Sequence, residues 1–239
     1  MEKIDHKMNR CFAPIKSHQW AWIALLAIIL LTITLRIGLL NVPLERDEGE
    51  YAYGGQLLLY NMPIYQHLYS MKLPGIYLAY AFILRLFGQS HTAIHFGLLL
   101  INVATIIVIF LLTKRLINFL SASVAAASFS VLSVNQYLHG VFANSEHFVI
   151  LPAACGVLLL LKALDEDIPQ LMFFSGLLFG LAFLIKQHGA LFIAFGGSYL
   201  LIELMFYRKG EDRRLKVHRF LLFSLGRISQ SLLKLRPGT

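Results

Sequence analysis

Long apolar runs alternate with short polar segments along most of this chain. Each run approaches the roughly 20 residues that a helix needs to cross the hydrocarbon core of a bilayer. The pattern therefore predicts an all-α integral membrane protein with about six transmembrane helices. The predicted spans are residues 20–40, 92–112, 119–136, 146–163, 171–187 and 190–207.

The segment between the first two spans, residues 41–91, is more polar and is predicted to hold interfacial helices. Good helix formers occupy residues 48–60. A second helix starts at Pro74, because proline suits the first turn of a helix. Its remaining residues, 75–87, are too few to cross the membrane, so we expect them to lie at the interface. The side chains expected at the level of the lipid headgroups are Tyr77, Tyr80 and Phe87.

The positions of the basic residues predict the orientation of the spans, since cytoplasmic loops are enriched in lysine and arginine. With six spans and a cytoplasmic N-terminus, thirteen Lys and Arg residues fall on the cytoplasmic side and four on the other. A crossing at 75–87 would move the six basic residues of segment 208–219 outside. This topology divides the chain into three parts. Residues 1–17 form a cytoplasmic basic arm, and residues 18–207 form a transmembrane domain with a catalytic loop at 41–91. Residues 208–239 form a basic cytoplasmic segment with an atypical tail.

Composition narrows the class of protein further. The sequence is 57% hydrophobic with a mean hydropathy of +0.66, which is more apolar surface than one soluble domain of 239 residues can bury. Its net charge of +8 comes from short basic clusters between apolar runs, so membrane lipids and not nucleic acid are the expected partners. Cys11 and Cys155 lie in segments too far apart for a disulfide. Arg36, near the far end of the first span, is expected to extend to the headgroups.

The first polar stretch after the first span carries the strongest candidate for chemistry. It contains Arg46, Asp47, Glu48 and Glu50 in a chain that is only 14% charged. One interpretation is a helix cap, in which Asp47 accepts backbone N–H groups and Glu50 follows three residues later. The other is catalysis, because a carboxylate at the membrane surface can take a proton from an acceptor hydroxyl. Both interpretations stay open at this point.

Other polar residues fall on the same, extracytoplasmic side in the predicted topology. Lys72 precedes a helix N-terminus, which suits an anion, although a lysine there also suits lipid headgroups. Glu146 and Lys186 lie at span ends, where helix-dipole effects also explain them. The candidate substrate-binding residues are Tyr51, His67, Lys72, Glu146, Lys186 and His188. The sequence contains no HExxH or CxxC metal pattern, no glycine-rich phosphate loop and no Gly-x-Ser-x-Gly motif. Carboxylates, lysines and aromatic residues beside a lipid core best suit the binding of a lipid-linked phosphate.

Several short motifs follow one another in a characteristic order. They are Asp47-Glu48, Pro63 with Tyr65, Lys72 with Pro74 and Gly75, Leu86-Phe87-Gly88, Ala143-Asn144-Ser145-Glu146, and Leu184-Ile185-Lys186-Gln187-His188-Gly189. This order resembles that of the GT-C membrane glycosyltransferases, within them family 39 and its relatives, the protein O-mannosyltransferases and the aminoarabinose transferases of lipid A. The resemblance covers roughly residues 20–207. Where many family members have Lys-Pro-Pro, this chain has Lys72-Leu73-Pro74. The chain is also much shorter than the usual family member, as a truncation would produce.

The resemblance implies a multi-pass enzyme of the cell membrane that transfers a sugar from a polyprenyl-phosphate donor to an extracytoplasmic acceptor of the cell envelope. It implies that Asp47 activates the acceptor with Glu48 as its partner, and that Lys72 contacts the donor phosphate. Beyond this donor no cofactor is certain, and dependence on a divalent metal stays open. The alternatives are an inactive truncated fragment of such an enzyme and a multi-pass transporter or assembly protein. Charges clustered at span ends favour the enzyme, since a transporter would place ionisable groups near mid-membrane.

The predicted topology is tested by cysteine labelling in a background without the native cysteines. Asn61→Cys lies in the loop predicted to be extracytoplasmic, and Glu211→Cys lies in the basic segment predicted to be cytoplasmic. We expect a membrane-impermeant maleimide added to intact cells to modify the first variant and to spare the second. The opposite labelling pattern would invert the topology and move the candidate site to the cytoplasm.

Overall fold

The computed structural model describes residues 2–166, 168–203, 221, 223 and 224, with side chains from residue 19 onward. Every regular element in these residues is a helix, which confirms the predicted all-α class. The helices are α1 Glu2–Ile37, α2 Arg46–Leu59, α3 Ile64–His67, α4 Pro74–Phe87, α5 His91–Leu116, α6 Phe119–Leu132, α7 Ser145–Asp165, α8 Pro169–Ile185 and α9 Gly189–Ile202, with one 3₁₀ turn at Gln136–Leu138.

Helix length and composition identify a membrane protein. Three helical segments of the described chain are long and apolar enough to cross a bilayer: Gln19–Ile37, His91–Leu116 and Ser145–Asp165. Four shorter apolar helices accompany them, namely α4, α6, α8 and α9. The predicted count of six crossings stays a prediction. Residues 204–207 of the last predicted span, the basic cluster at 208–219 and the tail from residue 225 onward lie outside the described residues.

The largest core cluster lies where α2, α4, α7 and α8 pack together. Tyr77 and Tyr80 of α4 are fully buried in it, beside Tyr51 of α2 and Phe148 of α7. Tyr77 and Tyr80 therefore face the protein core and not the lipid headgroups, which corrects the predicted environment of both side chains; the interfacial position of α4 stays a prediction. A tyrosine can be buried when its hydroxyl finds a partner, and the Tyr80 hydroxyl donates to the carbonyl oxygen of Ala143 at 2.7 Å. Phe87, at the end of α4, is exposed, and its position at the headgroups stays a prediction.

The start of α4 touches the end of α8. A Cβ atom at Gly75 would lie 2.5 Å from the carbonyl oxygen of Leu184, so only glycine allows this approach without movement. The contact brings Lys72, just before α4, towards Lys186, just after α8.

The N-terminus of α2 is capped by Glu45 and not by Asp47. The Glu45 carboxylate accepts the N–H of Asp47 at 3.0 Å, and the Glu48 carboxylate accepts the N–H of Glu45 at 2.8 Å. This is a reciprocal capping box shifted two residues from the predicted one. The interpretation of Asp47 as the cap is therefore wrong, and its side chain is free to face elsewhere.

Glu48 also joins α2 to two other segments. Its carboxylate is completely buried, lies 3.0 Å from Nε2 of His95 on α5, and accepts the N–H of Ala143 just before α7. Burial by itself would raise the pKa of Glu48, but the bonds from His95, Ala143 and Glu45 outweigh it and lower this pKa below its ordinary value. Glu48 therefore stays ionised inside the protein and fixes the position of α2.

Arg36 holds the loop between α6 and α7. It is buried, and its Nη2 donates to the carbonyl oxygens of Ser133 and Gly140, the latter at 2.9 Å. The expectation that Arg36 extends to the headgroups is therefore wrong. A buried guanidinium needs hydrogen-bond partners, and the loop carbonyls supply two for Nη2, whereas Nε has no partner among the described residues.

The role of Glu48 predicts a pH-dependent loss of stability in Glu48→Gln. A carboxylate whose pKa is lowered by folding stabilises the protein above its unfolded pKa, and this contribution is lost as the pH falls through the folded pKa. At pH 7 we expect Glu48→Gln to lower the free energy of unfolding by about 1–3 kcal/mol. We expect the difference from wild type to shrink below about pH 4.

Thermal unfolding of the purified protein in detergent at pH 7 and at about pH 3, where most of this contribution should be lost, measures this difference. Glu166→Gln is the matched control, because Glu166 is half exposed and pairs only loosely with Lys162 at 3.8 Å. An equal loss for Glu48→Gln at both pH values would show that the charge of Glu48 contributes nothing to stability.

Candidate active site

Two cavities of about 310 and 320 Å³ meet on one side of the helix bundle, and we call them together the site groove. Asp47, Tyr51 and Lys186 line both of them. The first cavity is completed by Glu45, Leu138, His139, Asn144, Glu146 and His147. The second is completed by Met71, Lys72, Leu73, Ile76, Ser145, Ile185, Gln187 and His188. The groove is thus built largely from the ends of α2, α4, α7 and α8.

Asp47 lies in the first turn of α2 with its side chain about one third exposed. One carboxylate oxygen is 3.4 Å from Nζ of Lys72. The other is 3.6 Å from Arg46, whose side chain is 91% exposed and therefore contributes little. Since Glu45 supplies the cap, the Asp47 carboxylate is available to a molecule in the groove.

Lys72 lies between two carboxylates and an aromatic ring. Its Nζ is 3.0 Å from Glu50, 3.4 Å from Asp47 and 4.5 Å from the centre of the Tyr51 ring. Burial alone would lower the pKa of Lys72, but the hydrogen bond with Glu50 and the charges of its neighbours outweigh burial and raise this pKa. Lys72 therefore stays protonated, and its charge is shared.

Glu50 is held from three directions. One carboxylate oxygen accepts the hydroxyls of Ser70 and Tyr77, both at 2.8 Å, and the other accepts Nζ of Lys72. Burial opposes ionisation, yet these bonds lower the pKa of Glu50 below its ordinary value. Asp47 and Glu50 are three residues apart on one helix and so project from the same face. The sequence interpretation used this spacing only as a capping pattern and gave Glu50 no binding role.

A second ion pair faces the first across the groove. Lys186, the residue just after α8, pairs with Glu146 in the first turn of α7. The Glu146 side chain is 60% exposed, so this pair is easily reached by solvent. Lys186 also lines a third cavity of about 250 Å³, together with Glu146, Val149, Ile150 and His188. That cavity is mostly apolar and adjoins the site groove at Lys186.

The structure brings together most of the predicted site residues. Those that line the cavities are Asp47, Tyr51, Lys72, Glu146, Lys186 and His188. Glu48 instead lies buried beneath Asp47 with protein partners on both oxygens, and His67 is exposed at the end of α3 and lines none of the three cavities. Polar groove residues that the sequence left without a binding role include Glu45, His139, Asn144 and His147. Glu50 contacts the groove through its ion pair with Lys72.

The chemistry available in the groove is that of carboxylates and ammonium groups. Asp47 can accept a proton and the two lysines can bind an anion. Among the side chains that the structure describes, no group of three or more His, Cys, Asp or Glu residues is arranged to hold a metal ion.

Comparison with known proteins identifies the family. The family model described as dolichyl-phosphate-mannose-protein mannosyltransferase matches residues 72–225, which is more than half of the chain. No curated protein and no solved structure matches. The match begins at Lys72 and includes Glu146 and Lys186 of the groove. The chain therefore belongs to the dolichyl-phosphate-mannose-protein mannosyltransferase family, whose members are membrane glycosyltransferases of the GT-C type.

Proposed function

We propose that this protein transfers a sugar from a polyprenyl-phosphate carrier to a hydroxyl acceptor on the extracytoplasmic side of the cell membrane, and that the site groove is where transfer occurs. The observation that carries the proposal is the position of Asp47, whose carboxylate is not needed to cap α2 and opens into a groove between two lysines. Membership of the family supports a lipid-linked sugar as donor.

Asp47 is the proposed general base. The acceptor oxygen forms a bond to the anomeric carbon of the sugar while the bond from that carbon to the phosphate oxygen breaks. The hydroxyl proton passes to Asp47, and the polyprenyl phosphate leaves as an anion. The carboxylate is well placed for this step because it is partly exposed and held by the first turn of a helix that Glu48 fixes.

The two lysines are the proposed partners of the phosphate. Lys72 already balances two carboxylates, Asp47 and Glu50. Lys186 has a single carboxylate partner, Glu146, which is exposed enough to turn into water when an anion arrives. We therefore assign the larger share of phosphate binding to Lys186 and a supporting share to Lys72.

The apolar cavity next to Lys186 suits the lipid part of the donor. Val149 and Ile150 line it on α7, one turn from Glu146. A phosphate at Lys186 would place the first isoprene units against these side chains and the sugar in the site groove, towards Asp47. This arrangement accounts for the presence of Lys186 in all three cavities.

Asp47→Asn tests the proposed base. The amide keeps the size of the side chain but cannot take the proton, so we expect transfer to fall by roughly a hundredfold or more. Because Asp47 is not the cap, stability should be close to that of wild type. The measurement is transfer of labelled mannose from polyprenyl phosphoryl mannose to acceptors in membranes that contain the protein.

The matched control for this experiment is Asp165→Asn. Asp165 lies at the other end of α7, is mostly exposed and pairs with Arg115, so its substitution should leave transfer unchanged. Near-normal transfer by Asp47→Asn would remove Asp47 from the chemistry. Absence of transfer by the wild-type protein would overturn the proposed activity of this chain.

Lys186→Ala tests the assignment of the phosphate. We expect the apparent KM for the lipid-linked donor to rise about tenfold, which corresponds to about 1.4 kcal/mol and is typical of a lost charged hydrogen bond. Lys72→Ala should raise this KM less and lower kcat more, since Lys72 also contacts Asp47. Lys162→Ala, remote from the groove, is the control. If Lys72→Ala raised the KM for the donor more than Lys186→Ala did, Lys72 and not Lys186 would carry the larger share of phosphate binding.

A further inference from the structure

Glu50 connects three parts of the structure through one carboxylate. It projects from α2, receives hydroxyl hydrogen bonds from Ser70 in the following loop and from Tyr77 on α4, and receives the Lys72 ammonium at 3.0 Å. The Ser70 hydroxyl oxygen also accepts the backbone N–H of Lys72 at 3.2 Å. Both the backbone and the side chain of Lys72 are thus fixed relative to Glu50.

The consequence for Lys72 is that its charge is divided. Nζ lies closer to Glu50, at 3.0 Å, than to Asp47, at 3.4 Å. Without the negative charge of Glu50, Asp47 would be the only near carboxylate of the ammonium group among the described residues, and we expect Lys72 to move towards it. A closer cation stabilises the ionised form of a carboxylate and makes it a weaker base.

We propose that Glu50 is a positioning residue, which draws Lys72 away from Asp47 and so keeps the Asp47 carboxylate basic enough to accept a proton from the acceptor hydroxyl. This inference rests on the proposed role of Asp47 as the base. Glu50 acts on Asp47 in two ways. It holds the Lys72 ammonium group away from Asp47, and its own negative charge disfavours the ionised form of Asp47. Both effects make Asp47 a stronger base.

The remaining charges around Asp47 do not depend on Glu50. Arg46 precedes Asp47 on the same helix turn and extends into solvent. Glu45 and Tyr51 line the same cavities from α2 and its N-cap. The titratable and charged groups that line them from other segments, besides Lys72, are His139, Glu146, His147, Lys186 and His188. A substitution at Glu50 removes none of these groups, so its effect on Asp47 is expected to pass through the Glu50–Lys72 pair.

A purely structural role for Glu50 can be separated from this one, because charge and hydrogen bonding can be removed independently. Glu50→Gln retains a carbonyl oxygen that can accept from Ser70 and Tyr77 but has no charge. Tyr77→Phe removes a hydroxyl that lies 2.8 Å from both Glu50 and Ser70, and it leaves the Glu50–Lys72 ion pair in place. If Glu50 only ties the helices together, the two variants should behave alike.

The first test is the pH dependence of labelled mannose transfer in membranes. For Glu50→Gln we expect the acidic limb of the kcat profile to move to lower pH by about one unit, with a several-fold lower plateau, because Asp47 becomes a weaker base. Tyr77→Phe should leave the limb in place while lowering thermal stability. A limb that stays in place, or moves to higher pH, in Glu50→Gln would overturn the inference.

The second test does not need activity. Acetylation of Lys72 by trace acetic anhydride across a pH series, read by mass spectrometry against Lys162 in the same protein, reports how strongly the ammonium form is held. We expect Lys72 of Glu50→Gln to be acetylated about threefold faster at pH 9, and that of Tyr77→Phe to match wild type. Unchanged acetylation of Lys72 in Glu50→Gln would refute the Glu50–Lys72 interaction itself. If the acetylation changes but the protein transfers no sugar, the Glu50–Lys72 interaction is retained and the proposed function is refuted.

Discussion

The candidate site depends on one buried carboxylate, that of Glu48. It accepts hydrogen bonds from the start of α2 and from Ala143, and it lies against His95 of α5. A carboxylate in this position would destabilise the fold if any of these partners were absent, since a buried charge needs full compensation. The compensation therefore couples three segments. It holds the first turn of α2 beside the first turn of α7, which is why Asp47 and Glu146 open onto the same groove.

A second constraint, the contact of α4 with α8 at Gly75, brings the cations to this groove. Lys72 lies just before α4 and Lys186 just after α8, so the approach of these two helix ends places both ammonium groups opposite the two acidic helix starts. Neither lysine depends on a long flexible loop for its position. A site made from helix ends is well suited to bind a charged headgroup above an apolar core, because the backbone of each helix fixes the charge at its end.

The sequence was sufficient for the helices and for much of the groove, because both follow from local patterns. Apolar runs mark the helices, and charges at the ends of these runs mark Asp47, Lys72, Glu146 and Lys186. What it could not predict depended on distant partners. Nothing local separates Asp47 from Glu48, and only the position of Ala143 and His95 decides which acid is buried. The same holds for Arg36, whose burial requires the carbonyls of the loop before α7, and for Tyr77 and Tyr80, which suit a membrane interface and a core equally well.

The balance of charge in the groove indicates which part of it should change when a donor binds. Asp47, Glu50 and Glu146 share two lysines, so a phosphate adds negative charge to a set that is already short of cations. One carboxylate must give up its lysine. Glu50 is only 26% exposed, so water could replace Lys72 there less readily. Glu146 is mostly exposed and can be solvated by water at little cost. If the groove binds the proposed donor, we expect the Glu146–Lys186 side to rearrange, while the side formed by α2 and α4 keeps the geometry proposed for proton transfer to Asp47.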